Sequence, residues 1–226
     1  MGQKNEEFKE AIYEQFARIG KAISSPKRLE LIDLLAQGER TVEVLAHEAG
    51  LSVANTSQHL QVLRSVHLVE ARKKGLYVTY YLGNPAVCEF MRSLRSLARN
   101  QLAEVDRITR RFLGEQTALD FIDRETLIKR VKQGTITVID VRPVEEYRAA
   151  HIPGSRSIPI EELERRLAEL PSDQDVVAYC RGAYCMLAIQ AVAFLRKHGY
   201  QALRLEEGIP EWRALGLEVE SGGEGK

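Results

Sequence analysis

The hydrophobic rhythm of this chain changes once, near Gly114, and that change restricts it to two folding units of different class. Before it, apolar residues recur at helical spacing. After it, short β-branched runs alternate with helical ones. At 226 residues the chain is long enough to bury two small cores.

In the first half, Phe8, Ile12, Phe16 and Ile19 define an amphipathic helix over residues 6–19. Ser25-Pro26 opens a second, Ser as the cap and Pro at the first helical position; its apolar set Leu29, Ile32, Leu35 and Ala36 ends before Gly38. A short third helix is expected over 41–49, capped by Thr41 and stopped by Gly50. Ser52 opens a fourth over 52–64, with Leu60 and Leu63 facing inward. Two β-like stretches, 67–72 and 77–82, flank Lys73-Lys74-Gly75 and predict a basic hairpin.

Residues 85–112 read as one long helix with Val87, Phe90, Met91, Leu94, Leu97, Leu102, Val105 and Ile108 apolar. Such a stripe is covered most economically by a second copy of itself, the other reading being a helix packed inside its own chain. Residues 114–118 read as a joint. Beyond it, strands are expected at 137–141, 176–179 and 202–205, and helices at 160–170 and 186–198. That alternation means a parallel sheet covered by helices. The tail after Ser221 is glycine-rich and reads as frayed.

Charge supports the division. The whole chain carries 32 basic and 32 acidic side chains, but residues 1–113 have a net charge of +4 and the remainder −4. A basic half permits a polyanionic partner without demanding one. The amino terminus is acidic and lacks an apolar run, so it is not a secretory signal. Glu6 stands where a myristoylation signal beginning at Gly2 needs Ser or Thr. No segment approaches the roughly 20 apolar residues of a membrane span. The cytoplasm, no membrane partner and three free thiols are the resulting expectations.

Two helices with a tight turn, followed by a basic hairpin, make a winged helix-turn-helix, whose second helix enters the major groove. Its candidate base-reading residues are Ser52, Asn55, Thr56, Gln58 and His59, with Arg64 behind them; Arg72, Lys73 and Lys74 would meet phosphates. The other reading is a winged helix used only for protein contacts. The stretches SSPKRLELIDLL and LSVANTSQHLQVLRSVHLVEARKKGLYVTYYL, with their Ser-x-His-Leu-x-x-Leu-Arg core, resemble the arsenic-repressor (ArsR) family. The resemblance covers the first half and implies a homodimeric repressor on an inverted-repeat operator of double-stranded DNA, released by an inducer. The sequence departs from the metal-sensing members. Val44, Leu45 and Ala46 stand where their cysteine pair belongs, and residues 85–113 contain no histidine. His47, His59 and His67 do not make a set of three or four converging ligands, so no metal is expected.

In the second half, Cys180 follows the strand Val176-Val177-Ala178-Tyr179 and precedes a helix. That position favours thiolate through backbone N–H groups and the helix terminus, with Arg181 adding positive charge. The segments IDVRPVEEYRAAHIPGSRSIPI, CRGAYC and EEGIPEW resemble rhodanese domains in order and spacing, over roughly 118–220. The resemblance implies an α/β sulfurtransferase-type fold in which Cys180 accepts a sulfane sulfur and becomes a persulfide. Arg181, Gly182, Ala183, Tyr184 and Cys185 would form the substrate-binding loop, and Asp140 and Arg142 would organise the pocket rim, with His151 a turn residue. Thiosulfate or persulfide sulfurtransferase activity is one implied outcome; no cofactor is called for.

The loop departs from the usual pattern, with Gly182 early, Ala183 where glycine is common and Cys185 at the closing position; Glu207 also replaces a common glycine. Loop size separates sulfur from phosphate or arsenate chemistry in this superfamily, so the small-molecule partner is a sulfur donor or an oxyanion. Cys185 either resolves a Cys180 persulfide or is a small residue capping the helix. Cys88 reads as a packing residue or as a redox partner. Four readings stay open: a sulfur-responsive repressor, a sulfurtransferase with a DNA-tethering module, an oxyanion-responsive regulator, and a pocket that binds without turnover.

Overall fold

The computed structural model describes residues 2–113 and 121–223. Its contacts divide the chain into two compact units, Met1–Val87 and Cys88–Lys226. The expected joint at 114–118 and the last residues of the glycine-rich tail lie outside the described residues.

The first unit holds α1 (Gly2–Ile23), α2 (Pro26–Ala36), β1 (Arg40–Thr41), α3 (Val42–Glu48), α4 (Val53–Arg64), β2 (Val69–Lys74) and β3 (Tyr77–Leu82). Leu31, Ile32, Leu45, Leu60, Leu63 and Val69 form its buried core, the inward positions of an amphipathic pattern. Pro26 does begin α2, yet neither Ser25 nor Thr41 makes a side-chain cap; only Ser52 does, its hydroxyl accepting the Asn55 N–H. The strands form an antiparallel sheet in the order β1-β3-β2. Lys73 pairs with Val78 and Lys74 with Tyr77, so the turn is Gly75-Leu76 and both lysines sit on β2, which runs two residues further than expected. A two-residue turn needs φ above zero, which Gly75 supplies at 63°.

The long helical pattern is realised as two helices, α5 (Ala86–Gln101) and α6 (Ala103–Leu113), separated at Leu102. Neither proline nor glycine stands at the break.

The rest of the second unit is a parallel sheet in the order β4-β8-β7-β5-β6. The strands are β4 (Phe121–Ile122), β5 (Ile136–Asp140), β6 (Arg156–Ser157), β7 (Asp175–Tyr179) and β8 (Ala202–Leu205), with α7 (Arg124–Lys132), α8 (Val144–Ala149), α9 (Met186–Lys197) and α10 (Ile209–Ala214) between and after them. Alternate residues of β5 and β7 serve opposite faces, as the pleat requires. Ile139, Val176 and Ala178 pack with Ala188, Ala191 and Leu195 of α9, whereas Val138, Val177 and Tyr179 pack with Leu127, Ile209 and Trp212. The helix expected over 160–170 is instead two single 3₁₀ turns, Ile160–Glu162 and Leu167–Glu169. Its apolar residues 160, 163, 167 and 170 come in pairs three apart, which suits three residues per turn as well as an α-helix.

Candidate functional site

In the first unit, α4, the helix expected to read DNA, follows α3. After α3 the chain turns through Gly50 (φ 61°), with the Leu51 N–H bonded to the Ala46 carbonyl at 2.9 Å. Ser52, Asn55 and Gln58 are exposed on α4 and His59 is half-buried. Thr56 must be withdrawn from the outward set. It is fully buried, and its hydroxyl donates to the Ser52 carbonyl at 3.0 Å, so it braces the turn. Arg64 is exposed at the end of α4, and Lys73 is exposed on β2. Arg72 is tied to Glu39 and lies over the Tyr81 ring at 5.4 Å. The Lys74 side chain lies outside the described residues. His67 is exposed and paired with Glu70 at 2.7 Å. Among the described residues, no group of three or more His, Cys, Asp or Glu is arranged to hold a metal ion.

In the second unit, β7 delivers Cys180 to the carboxyl edge of the sheet, where the residue is 1% exposed. The loop 180–185 leads into α9, with Cys185 at the helix N-cap and its N–H bonded to the Gly182 carbonyl at 3.1 Å. Gly182 has φ 125°, a conformation closed to most side chains. Cys180 and Cys185 are joined as a disulfide, which revises the expectation of three free thiols; Cys88 lies outside the bridge and is half-buried.

The loop is fixed from several sides. Arg204 donates to the Ala183 carbonyl at 3.0 Å and pairs with Glu206 at 3.1 Å. A Cβ on Gly208 would stand 2.8 Å from the Arg181 carbonyl carbon, so this position admits only glycine without a shift of the loop. Glu211 accepts the Gly208 N–H at 3.0 Å and pairs with Arg95 of α5 at 3.1 Å. Tyr184 is 44% exposed, and Arg99 of α5 reaches its hydroxyl.

Arg181 does not lend its charge freely to the sulfur. Its Nε donates to both carboxylate oxygens of buried Glu146, at 3.0 and 3.2 Å. Asp140 and Arg142 are not on a rim either. Both are fully buried, joined by bonds of 2.9 and 2.6 Å, and Arg142 also donates to the Ala150 carbonyl at 2.7 Å. Burial pulls the Arg142 pKa down, but hydrogen bonds and charge from Asp140 outweigh it and hold the value above the ordinary arginine range. Burial, with Asp140 beside it, pushes the Tyr179 phenol well up. His151 is structural, buried against the Tyr147 ring at 3.7 Å and bonded to the Tyr147 carbonyl at 2.8 Å. Glu146, Arg99, Arg204 and Glu211 escaped sequence reasoning. Each is an ordinary charged residue remote in the chain from the loop it touches or supports.

Residues 25–71 match the family described as bacterial regulatory protein, arsR family, and residues 123–215 match the rhodanese-like domain. The chain is 45% identical over 214 residues to the HTH-type transcriptional regulator Rv0324 of Mycobacterium tuberculosis, covering 95% of this chain and 94% of that one. Its first half is 35% identical to a probable mercury resistance operon repressor of Streptomyces lividans, covering 42% of this chain and 75% of that one. Its second half is 34% identical to a sulfurtransferase of Allochromatium vinosum, covering 43% of this chain and 92% of that one. The chain therefore belongs to the arsR family of bacterial regulatory proteins and is an HTH-type transcriptional regulator that carries a rhodanese-like domain.

Proposed function

We propose that the protein is a homodimeric repressor, bound to an inverted-repeat operator in the cytoplasm, whose DNA affinity is set by reactive sulfur captured on Cys180. The observation that carries this reading is Cys180 itself, held at the carboxyl end of β7 before the N-terminus of α9, on a chain that also presents α4. Backbone dipoles at such a position favour an anionic sulfur, and thiolate is the nucleophile that takes a sulfane sulfur.

Dimerisation is supported by the apolar residues left on two helical segments. Phe8, Tyr13 and Phe16 of α1 are exposed by 63–67%, and Leu97 of α5 and Phe112 of α6 by 59% and 68%. A second copy covers such faces with the same residues, as a two-fold interface requires. In this reading residues 1–113 act together as the DNA-binding and dimerising segment. Ser52, Asn55, Gln58 and His59 read bases, while Arg64, Arg72, Lys73 and Lys74 meet phosphates. The oxyanion alternative has less support. Arg181, the cation its loop would offer a dianion, is paired with Glu146.

The test uses the full-length reduced protein and a duplex selected by it from random sequence. Operator affinity is measured before and after glutathione persulfide, with the mass of Cys180 followed in the same sample. Modification of Cys180 by the donor, as persulfide or as disulfide, with at least a several-fold loss of affinity supports the proposal. Modification with unchanged affinity leaves a sulfurtransferase tethered to DNA, and release by arsenate or phosphate alone overturns it.

A further inference from the structure

We propose that Cys185 resolves the persulfide formed on Cys180, so that the loop reduces sulfane sulfur to hydrosulfide and stores the event as the Cys180–Cys185 disulfide. The inference rests on Cys180 as the sulfur acceptor and adds an activity that simple sulfur transfer lacks.

The bridge shows that the two sulfurs come within bonding distance while Gly182 and the Cys185 N–H hold the turn. Cys185 also occupies the N-cap position of the twelve-residue α9, where the helix dipole favours its thiolate. An acceptor already placed on the same loop has an effective concentration far above that of a free thiol. A persulfide on Cys180 therefore meets Cys185 before an outside acceptor.

The chemistry balances in two steps. The Cys180 thiolate takes the outer sulfur of a small-molecule persulfide, R–S–SH, forming Cys180–S–SH and releasing R–SH once the proton is counted. The Cys185 thiolate then attacks the Cys180 sulfur, forming the Cys180–Cys185 bond, breaking the bond to the outer sulfur and expelling hydrosulfide. The two protein thiols lose two electrons and the sulfane sulfur gains them.

A small-molecule thiol that attacks Cys185, the half-buried sulfur of the bridge, releases Cys180 as the thiolate. A second thiol frees Cys185 as a mixed disulfide is exchanged, and the loop is reset.

The experiment exposes anaerobic, pre-reduced full-length protein to glutathione persulfide without added thiol. Hydrosulfide is quantified, and peptides 180–185 are analysed by mass spectrometry under non-reducing conditions. The wild type is expected to release about one equivalent of hydrosulfide per chain above a Cys180→Ser background and to end as the disulfide. Cys185→Ser and Cys185→Ala are expected to retain one extra sulfur on Cys180 and release no hydrosulfide above that background. Trp212 fluorescence, on the buried tryptophan of the same unit, verifies that each variant is folded. A wild type that keeps the persulfide, a disulfide formed without hydrosulfide, or Cys185 variants that release it as the wild type does would each overturn the proposal. If folded Cys185 variants gain no sulfur, Cys180 is not the acceptor and the underlying reading falls instead.

Discussion

Arg99 lies across the ring of Tyr184, its guanidinium carbon 5.6 Å from the centroid and its Nε donating to the phenolic oxygen at 3.4 Å. Tyr184 is the residue before Cys185, and Arg99 belongs to α5, a helix that starts four residues after β3 ends. Tyr184 thus ties the cysteine loop to α5. The hydrogen bond that Arg99 donates to Tyr184, opposed by burial, raises the Arg99 pKa.

If this contact carries the sulfur signal, Tyr184→Ala uncouples loading from DNA binding. A cation–π pair at an accessible site is worth about 0.5–1 kcal/mol. The ratio of operator affinities with and without sulfur is therefore expected to shrink by about two- to five-fold. Reaction of Cys180 with the donor, read by mass as the persulfide or as the Cys180–Cys185 disulfide, is expected to stay unchanged. Tyr184→Phe keeps the ring and should retain most of the response.

Asp140→Asn tests the buried pair beneath the loop. The substitution leaves the Arg142 guanidinium buried beside a neutral amide, and breaking such a pair costs about 3–5 kcal/mol. Trp212 is the single tryptophan and packs on this sheet. Urea unfolding followed by its fluorescence reports that loss, and a change below about 1 kcal/mol would contradict the role given to Asp140.

Base reading and phosphate contact separate by salt. Asn55→Ala is expected to cost about 1–3 kcal/mol on the preferred duplex and to relax selectivity at one position. Lys73→Ala is expected to weaken all duplexes alike and to lower the salt slope by about one. Anisotropy titrations on matched and scrambled duplexes at several salt concentrations distinguish the two.

Glu207 provides a pH test. Burial raises its pKa, Arg124 at 2.6 Å opposes that, and one carboxylate oxygen is buried without a partner among the described residues. A carboxylate raised on folding is penalised in its charged form. The folded state therefore loses stability as pH rises through the raised value. Glu207→Gln removes that penalty, so the variant is expected to be the more stable at neutral pH. Its advantage fades on acidification and is gone below the ordinary carboxylate value, which urea midpoints across that range will check.

Much of this was legible in the chain, and the failures have physical reasons. Periodicity located α2, α4, β7 and α9 because each buries one face, and the pattern of burial is written in sequence order. The motif around Cys180 located that residue at the carboxyl end of β7 because a strand, a loop and a helix succeed one another there. Thr56 was misplaced because a short polar residue early in a helix can either face outward or bond back to the cap carbonyl, and only packing decides. Arg181 was taken for an anion ligand because Glu146, its partner, lies 35 positions away. Asp140 and Arg142 were assigned to a rim because nothing local tells a buried ion pair from an exposed one.

The bridging cysteines stand only five positions apart, and cross-linking so short a stretch restricts the unfolded chain by roughly 2 kcal/mol, little beside what a long-range crosslink contributes. The bond is therefore poorly suited to be a structural staple and, on the reading proposed above, suited to be erasable memory: a pulse of sulfur would be recorded, outlast its donor, and be cleared by the cell's own thiols.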